Sequence, residues 1–329
     1  MIYIDNENVT DPGINLALEE YALRKLPTDD SYLLFYVNKP CIIIGKNQNT
    51  HEEINKKFVD DNDIQVVRRL SGGGAVYQDL GNLSFSFLTK DDGNSFSNYA
   101  KFTQPVIEAL EELGVNAELS GRNDIQVGER KISGNAQYST KGKMFSHGTL
   151  LLDVEMENIV DSLNVNEEKI RSKGIKSVRA RVANINEFLE EKMNVEELKK
   201  MILSYIFKDG NIPTYKFSDH EWDEIKELSA ERYKNWDWNY GKNPKFDLHR
   251  SKRFEGAGTV DVRLNVGKGK ITECRIFGDF FGVGEIEDLE NLLKDTTYEK
   301  KALQEALSKT DLSYYFGEVS REDFIELIY

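Results

Sequence analysis

The stretch Arg68-Arg69-Leu70-Ser71-Gly72-Gly73-Gly74-Ala75-Val76-Tyr77 places three consecutive glycines behind a pair of arginines. Glycine has no Cβ and reaches positive φ at little cost, so the run can turn several backbone N–H groups toward one anion while arginine neutralises its charge. Runs at 64–67 and 83–88, which flank the stretch, are both typical of β-strands. We therefore expect the glycines to join two pieces of one sheet and to form an anion-binding loop. A flexible turn is the alternative.

The composition excludes several classes of protein. The 329 residues carry 43 Lys and Arg against 57 Asp and Glu, a formal net charge of −14. Nucleic acids and anionic membranes attract basic surfaces, so neither is expected as the main partner. No apolar run approaches the ~20 residues of a membrane-spanning helix, the first residues lack a secretion-signal pattern, and the two cysteines suggest no disulfide framework. We expect a cytoplasmic protein.

The order of helical and strand patterns predicts the fold class. Asp11 followed by Pro12 is a typical helix start, and helical periodicity returns at 102–113 and at 195–207, where Asn194 is the expected cap. Strand patterns occur between these helices, at 32–37, 41–45, 124–127, 130–133 and 145–152. Strands and helices do not alternate regularly, and short turns join several strands. An α+β fold with a mixed, largely antiparallel sheet and flanking helices is therefore favoured.

A smaller unit follows the large one. Near 236–244 aromatic residues give way to glycine and proline and then to basic residues, which indicates a boundary between a domain at 1–247 and an accessory domain at 248–329. Alternating apolar residues at 260–266 and a strand at 271–277 predict a hairpin, and two helices are expected near 286–293 and 298–307. The accessory domain is thus a small α/β unit.

A second candidate site surrounds Lys131. Asn123 and Asp124 precede it, and the small polar residues 133–135 follow it, so we expect that a ligand can approach the backbone there. Such a set suits a nucleotide phosphate with Mg²⁺, with Lys131 as a point charge and Asp124 as a hard oxygen ligand. A lone strand lysine is more often a solvated edge residue, and Asp124 is as often a turn or capping carboxylate.

Two further pieces have open interpretations. His147 is interpreted as lying at a strand start beside glycine, where it is either a general base or, more commonly, a hydrogen-bonded framework residue. Arg179 and Arg181 share one face if that segment is extended. They either close over a bound anion or form surface salt bridges. The four histidines show no metal-ligand spacing, and the standard nucleotide-binding fingerprints and the nucleophile elbow are absent.

Taken together and in this order, the segments resemble the lipoate–protein ligases of the biotin/lipoate ligase superfamily. The resemblance is carried by Asn15–Glu20, Ile44–Asn49, the Arg69–Tyr77 loop, Gly121–Asp124, the Lys131 strand and the small C-terminal domain. It implies the fold shared with class II tRNA synthetases and biotin synthetases. It also implies that lipoate or octanoate reacts with ATP and Mg²⁺ to give an acyl-AMP, and that the acyl group then passes to a lysine of an apo-lipoyl domain. The implied acceptors are 2-oxoacid dehydrogenase E2 subunits and the glycine cleavage H protein.

The resemblance also implies residue roles. Lys131 would contact both the acyl carboxylate and the α-phosphate, and Arg69 would hold phosphate. ATP or the adenylate would further contact Ser71, Gly72, Gly73, Gly74, Ala75, Val76, Tyr77 and Asn123. Lipoate would contact Lys131, Gly74 and His147, the adenylate would be covered by Arg179 and Arg181, and Mg²⁺ would bind Asp124.

One position departs from the family pattern, because Gln78 stands where many members have histidine. Two other classes of function also stay open at this point. One is an octanoyl or lipoyl transferase that moves the acyl group between carrier proteins without ATP. The other is a non-catalytic protein that binds an acyl group or a nucleotide.

Overall fold

The computed structural model describes residues 1–164, 181–208, 210–240 and 248–329. Contacts divide the chain into two compact units, called here the first and the second unit. The first comprises Met1–Ile44, His51–Arg69 and Ala75–Asn239, and the second comprises Gly45–Thr50, Leu70–Gly74 and Tyr240–Tyr329. The boundary expected between residues 247 and 248 falls at the end of 241–247, outside the described residues, and it stays a prediction.

Fourteen strands are described. In chain order they are β1 (Ile2–Ile4), β2 (Tyr32–Tyr36), β3 (Cys41–Ile44), β4 (Gln65–Arg68), β5 (Val76–Gln78), β6 (Asn82–Lys90), β7 (Glu118–Ser120), β8 (Asp124–Val127), β9 (Arg130–Thr140), β10 (Lys143–Leu151), β11 (Thr214–Tyr215), β12 (Leu248–Phe254), β13 (Gly258–Gly267) and β14 (Lys270–Gly278).

Among the described residues the α-helices are α1 (Pro12–Lys25), α2 (Thr50–Glu53), α3 (Lys56–Asp61), α4 (Tyr99–Glu111), α5 (Met156–Ser162), α6 (Val195–Ile206), α7 (Asp219–Leu228), α8 (Trp236–Asn239), α9 (Ile286–Leu293), α10 (Lys300–Ala306), α11 (Ser313–Phe316) and α12 (Arg321–Ile328). Two expected caps are confirmed. Asp11 accepts a hydrogen bond from Ile14 N at the start of α1, and Asn194 forms a capping box with Glu197 at the start of α6.

An eight-stranded sheet in the order β11-β1-β2-β6-β10-β9-β8-β7 forms the centre of the first unit. β1 runs parallel to both of its neighbours, and every other pair in this sheet is antiparallel. The predicted mixed, largely antiparallel sheet is therefore confirmed.

One face of this sheet carries the apolar core. Side chains of β2, β6 and β10 such as Phe35, Phe85 and Leu150 pack against apolar residues of α4 and α6, among them Val106 and Ile202, and all five are fully buried. Helix α1 contacts β6 and β10 in the same sheet. Burial of apolar area on this scale is the main stabilising contribution to such a fold.

The glycine run joins two strands of one sheet, β4 and β5, but the predicted second strand at 83–88 lies in a different sheet, so that part of the prediction is wrong. β4 pairs with β3, and so does the short strand β5, in a three-stranded sheet of the order β4-β3-β5, whereas β6 belongs to the eight-stranded sheet. The chain changes sheets at a turn where Asp79 Oδ1 accepts a hydrogen bond from Gly81 N at 2.9 Å. The sequence analysis missed β5 because three residues are too short to show strand periodicity.

The second unit contains the expected hairpin and helices. β12, β13 and β14 form an antiparallel sheet, and its core includes Val260, Val262 and Leu289, each fully buried. The helix expected at 286–293 has those bounds, and the one expected at 298–307 is shorter, Lys300–Ala306.

None of the helices in the described part of the chain is both long enough and apolar enough to span a lipid bilayer.

Substitution Gly81→Ala should destabilise the first unit. An added Cβ would lie 2.1 Å from the carbonyl oxygen of Asp153 and 2.9 Å from Val154 N, and backbone atoms cannot move aside cheaply. We expect a loss of about 1–3 kcal/mol in the free energy of unfolding. Thermal unfolding checks this, with Leu80→Ala as the control because Leu80 is 59% exposed in the same turn. Equal midpoints for the two variants would contradict the prediction.

Candidate active site

The face of the eight-stranded sheet opposite the apolar core carries a row of polar side chains. Tyr36 pairs with Ser84, and Ser84 pairs with Thr149, so these side chains project to one side of three adjacent strands. The Thr149 hydroxyl accepts a hydrogen bond from Gly134 N at 3.4 Å, and Gly134 pairs with Asp124. A row of polar groups therefore crosses the sheet from β2 to β8.

A second polar row runs beside the first. His147 lies opposite Ser86 on one side and Ala136 on the other. All three residues are buried. His147 lies in the middle of β10 and not at a strand start, which corrects the interpretation drawn from the sequence.

Lys131 extends its side chain over this polar face. Its Nζ lies 2.8 Å from Asp124 Oδ1, and the two side chains are 31% and 21% exposed. A Cβ added to Gly134 would lie 2.7 Å from the same Nζ and 3.0 Å from Cε. The missing side chain at Gly134 therefore leaves the space in which the ammonium group lies.

The backbone of Lys131 is bonded on both of its edges. On one side Lys131 pairs with Gln126 of β8. On the other side its N–H donates to Arg181 O at 2.7 Å, and its carbonyl accepts from Ala183 N at 2.9 Å. The main chain of Lys131 is therefore not a free sheet edge, and the role of its side chain stays a prediction.

The backbone beside Lys131 is less open to a ligand than the sequence suggested. Strand β9 continues through Gly134 to Thr140, beyond the predicted end at residue 133. Asn135 N donates to Asn123 O at 2.9 Å, and the side-chain amides of these two residues each donate to the other's carbonyl, at 2.6 Å and 3.0 Å. Asn123 therefore joins β8 to β9, and its role toward a nucleotide stays a prediction.

Arg69 brings a buried positive charge to the end of β4. The residue is 6% exposed, and its Nη1 donates to Ile43 O at 3.1 Å. Burial lowers the pKa of the Arg69 guanidinium to about 10, partly offset by the negative charges that Tyr36 and Glu19 can carry. Arg69 therefore remains a cation at neutral pH in a low-dielectric setting, where its attraction for an anion is strong.

Glu19 of α1 fixes the orientation of His147. Its Oε1 and Oε2 lie 3.0 Å and 3.2 Å from His147 Nδ1, and both residues are buried. The pair makes His147 part of a hydrogen-bonded framework, the commoner of its two interpretations. The sequence analysis did not single out Glu19, although a glutamate within the buried stretch of a helix was an available signal.

A second residue that the sequence analysis missed is Arg122. Burial raises the pKa of the Tyr99 phenol to about 12, and the positive charges of Arg122 and Arg69 act against that rise. Both arginines therefore act on Tyr99, at the first turn of α4. Arg122 lies in the Gly121–Asp124 segment named above. Only the effect of its charge on the pKa of Tyr99 distinguishes it.

Tyr77 and Gln78 are held by hydrogen bonds within the first unit. The Tyr77 hydroxyl accepts from Asn158 Nδ2 at 3.1 Å, and burial raises the pKa of Tyr77 to about 12. Gln78 Oε1 accepts from Asn38 Nδ2 at 2.7 Å, and Asn38 Oδ1 accepts from Asn15 Nδ2 at 2.8 Å. The residue that departs from the family pattern thus belongs to a buried chain of amides. Ala75 and Val76 are partly exposed. Ala75 connects the glycine run to β5, which begins at Val76.

The predicted loop residues Ser71 to Gly74 belong to the second unit, and the surroundings differ from one glycine to the next. A Cβ at Gly72 would lie 2.5 Å from Phe280 O, and Gly73 has a positive φ of 89°. A Cβ at Gly74 would meet no atom within 4 Å. Ser71 O accepts from Lys46 N at 2.9 Å. Gly74 is thus the glycine of the run with open space beside its Cα.

The remaining predicted residues stay untested. Arg179 lies outside the described residues. Arg181 is described, and its buried Nε has no hydrogen-bond partner among the described residues. Within the described ranges no group of three or more His, Cys, Asp and Glu side chains could hold a metal ion. The Mg²⁺ assignment therefore rests on the single carboxylate of Asp124.

A cavity of about 740 Å³ also lies in the first unit. Its walls include Leu83, Leu152 and Glu196, together with Tyr36 from the polar row. Lys131, Asp124 and His147 do not line it. The cavity therefore reaches the polar row at Tyr36 but does not include the surroundings of Lys131.

Comparison with known proteins gives consistent matches. Residues 11–207 match the lipoyl protein ligase A/B catalytic domain, and residues 243–328 match the bacterial lipoate protein ligase C-terminus. The chain is 58% identical to lipoate-protein ligase LplJ of Bacillus subtilis and 54% identical to lipoate–protein ligase 1 of Staphylococcus aureus, with complete coverage of all chains.

Solved structures agree with these matches. P. falciparum LipL1 in complex with lipoate has a TM-score of 0.82 at 27% identity, over 99% of this chain and 97% of that one. The bipartite ligase of Thermoplasma acidophilum, described with its E2 lipoyl domain, has a TM-score of 0.64 at 29% identity, over 75% and 98%. A lipoate-protein ligase A bound with ATP has 0.62 at 27%, over 70% and 94%.

Alanine substitutions in the glycine run should separate its constraints. Gly72→Ala forces a Cβ against Phe280 O, and we expect it to lower the free energy of unfolding by about 1–3 kcal/mol. Gly74→Ala should leave the thermal midpoint unchanged, because nothing lies within 4 Å and its φ is not positive. Thermal unfolding monitored by circular dichroism measures both. A loss for Gly74→Ala equal to that for Gly72→Ala would contradict the assignment.

Proposed function

The chain belongs to the lipoate–protein ligases, and we propose that it joins lipoate to ATP as lipoyl-AMP and then transfers the lipoyl group to a lysine of a lipoyl domain. In the first step a carboxylate oxygen of lipoate attacks the α-phosphorus of ATP, and pyrophosphate leaves. In the second step the acceptor amine attacks the acyl carbon, AMP leaves, and the amine loses a proton.

The observation that carries the proposal is the position of the Lys131 ammonium. The first step brings together a carboxylate and a phosphate, both anions, so a fixed positive charge between them is required. Lys131 supplies this charge. Its main chain is hydrogen-bonded on both edges, and its Nζ lies beside Asp124 and over Gly134. We therefore assign Lys131 to the acyl carboxylate and the α-phosphate.

Arg69 and the polar rows complete the proposed site. The buried guanidinium of Arg69 is a second cation, which we assign to phosphate. The Thr149 hydroxyl and the His147 imidazole lie on the same sheet face as Gly134, where they offer hydrogen bonds to the lipoate head group. In the second step the adenylate is already activated, so positioning the acceptor lysine beside it supplies much of the remaining acceleration.

Mg²⁺ fits Asp124 as a single protein ligand. Magnesium commonly uses one or two carboxylates together with substrate phosphates and water. Asp124 Oδ1 also forms the ion pair with Lys131 Nζ. Mg²⁺ bound with ATP would neutralise part of the phosphate charge. Asp124 would then serve two cations, the ion and the Lys131 ammonium.

The acceptors that we propose are lipoyl domains of 2-oxoacid dehydrogenase E2 subunits and the glycine cleavage H protein. Support comes from the T. acidophilum ligase, which is described with its E2 lipoyl domain. The proposed location is the cytoplasm, and the acidic composition with two buried cysteines supports it.

Incubation of a purified apo-lipoyl domain with this protein, lipoate and Mg²⁺ tests the function directly. The acceptor should gain the mass of one lipoyl group when ATP is present and none when ATP is omitted, as measured by mass spectrometry. Octanoate in a parallel reaction measures its use as an alternative acyl donor. An equal gain from an acylated carrier protein without ATP would support a transferase and contradict the ligase.

Lys131→Ala should strongly slow adenylate formation while the fold persists. Removing one preorganised charge from such a site costs about 10²–10³ in rate. Lipoate-dependent exchange of labelled pyrophosphate into ATP measures the loss, and the thermal midpoint confirms folding. Lys90→Ala is the control, because Lys90 is an exposed residue at the end of β6. Unchanged exchange in folded Lys131→Ala protein would end the assignment.

A further inference from the structure

The side chain of Arg130, the residue before Lys131, binds a segment distant in sequence, residues 182–187. Its Nη1 lies 2.8 Å from Glu187 Oε2, and its Nη2 lies 3.1 Å from Glu187 Oε1. This two-pronged arginine–carboxylate contact is called here the fork. Nη2 also donates to Val182 O at 3.1 Å, and the Phe188 ring lies 5.8 Å from the guanidinium carbon. One side chain thus holds the segment at both of its ends, near residues 182 and 187.

The same segment forms the outer hydrogen bonds of Lys131. Val182 makes a parallel bridge with Lys131, and the neighbours of Val182 on each side exchange the two main-chain hydrogen bonds already described. The Arg130 contact to Val182 O therefore reinforces the pairing that fixes the backbone of Lys131. The fork and the catalytic lysine belong to consecutive residues of one strand.

The far end of the segment is anchored as well. Glu187 Oε1 also accepts from Asn184 N at 2.9 Å. The side chain of Asn184 exchanges two hydrogen bonds with the backbone of Val154, at 3.0 Å and 2.9 Å, and Ile185 is fully buried. Glu187 therefore joins Arg130 to a piece of chain that is itself fixed to the first unit.

We propose that Arg130 and Glu187 are positioning residues for the reaction, because their fork holds the segment whose main chain fixes the backbone of Lys131. This inference rests on the proposed function. Paired hydrogen bonds of this type fix orientation as well as distance. The two side chains are 37% and 42% exposed, so their contribution to global stability is small and their effect is local.

The charge state of Glu187 suits this role. Burial acts to raise the pKa of Glu187, but hydrogen bonds from Arg130 and from Asn184 N–H, with the Arg130 charge, lower it below its ordinary value. The carboxylate is therefore ionised at neutral pH. The stabilisation that the fork contributes is fully present above the ordinary pKa of a glutamate. It is lost as the pH falls through the lowered pKa of Glu187.

The test compares the unsubstituted protein with Glu187→Gln and with the charge-exchanged pair Arg130→Glu/Glu187→Arg. A small misplacement of a catalytic group costs rate, so we expect Glu187→Gln to lower kcat of lipoate-dependent pyrophosphate exchange about tenfold. The KM values for ATP and lipoate should stay within about twofold, since the loss falls on the transition state. The exchanged pair should recover part of the rate.

Amide hydrogen exchange gives a readout that does not depend on activity. The N–H groups of Lys131 and Ala183 should exchange faster in Glu187→Gln, while the thermal midpoint stays nearly constant. Asp61→Asn is the matched control, because Asp61 forms an exposed ion pair with Lys57 in α3. That variant should change neither kcat nor the two amides.

Three results would overturn the inference. One is unchanged pyrophosphate exchange in Glu187→Gln, and another is unchanged protection of the two amides. The third is a rate for the charge-exchanged pair no higher than that of Glu187→Gln, which would make Arg130 a charge acting on substrate and not the partner of Glu187. Absence of pyrophosphate exchange in the unsubstituted protein would contradict the proposed function instead, and the amide readout would still test the fork.

Discussion

The ion pair between Lys131 and Asp124, 2.8 Å long, is the contact on which the candidate site depends. A lysine side chain in water samples many rotamers, and a charge that moves freely stabilises a transition state poorly. Here the carboxylate holds the ammonium, Gly134 leaves the space for it, and the main chain is bonded on both edges. These contacts restrict the positions that the Lys131 side chain can take.

The two faces of one sheet divide structure from chemistry. One face packs against α4 and α6 in a continuous apolar core, and the other carries hydroxyls, an imidazole and the lysine. Charged groups near this polar face are costly to bury unless they have partners. Glu19 meets His147, and Arg69 meets a backbone carbonyl and the charges of its surroundings. Burial of the apolar face stabilises the fold and offsets the cost of burying these charged groups.

Local patterns predicted local structure well, and long-range contacts escaped them. The caps at Asp11 and Asn194 and the hairpin of the second unit follow from neighbouring residues. The choice of Lys131 also came from its neighbours in sequence, and its role stays a prediction. The exchange of sheets after Gln78, the pairing of Glu19 with His147 and the fork at Arg130 join residues far apart in sequence, which no periodicity reveals. The glycine run was recognised, yet only the fold shows that Gly72 and Gly73 are constrained while Gly74 has open space beside it.

The most direct test is a crystal structure of the protein with lipoate and a non-hydrolysable ATP analogue bound together. The account predicts the lipoate carboxylate on the polar face, with Lys131 Nζ within about 3.2 Å of both a carboxylate oxygen and an α-phosphate oxygen. A complex in which the two ligands lie apart, or in which the Lys131 ammonium points into solvent, would contradict it.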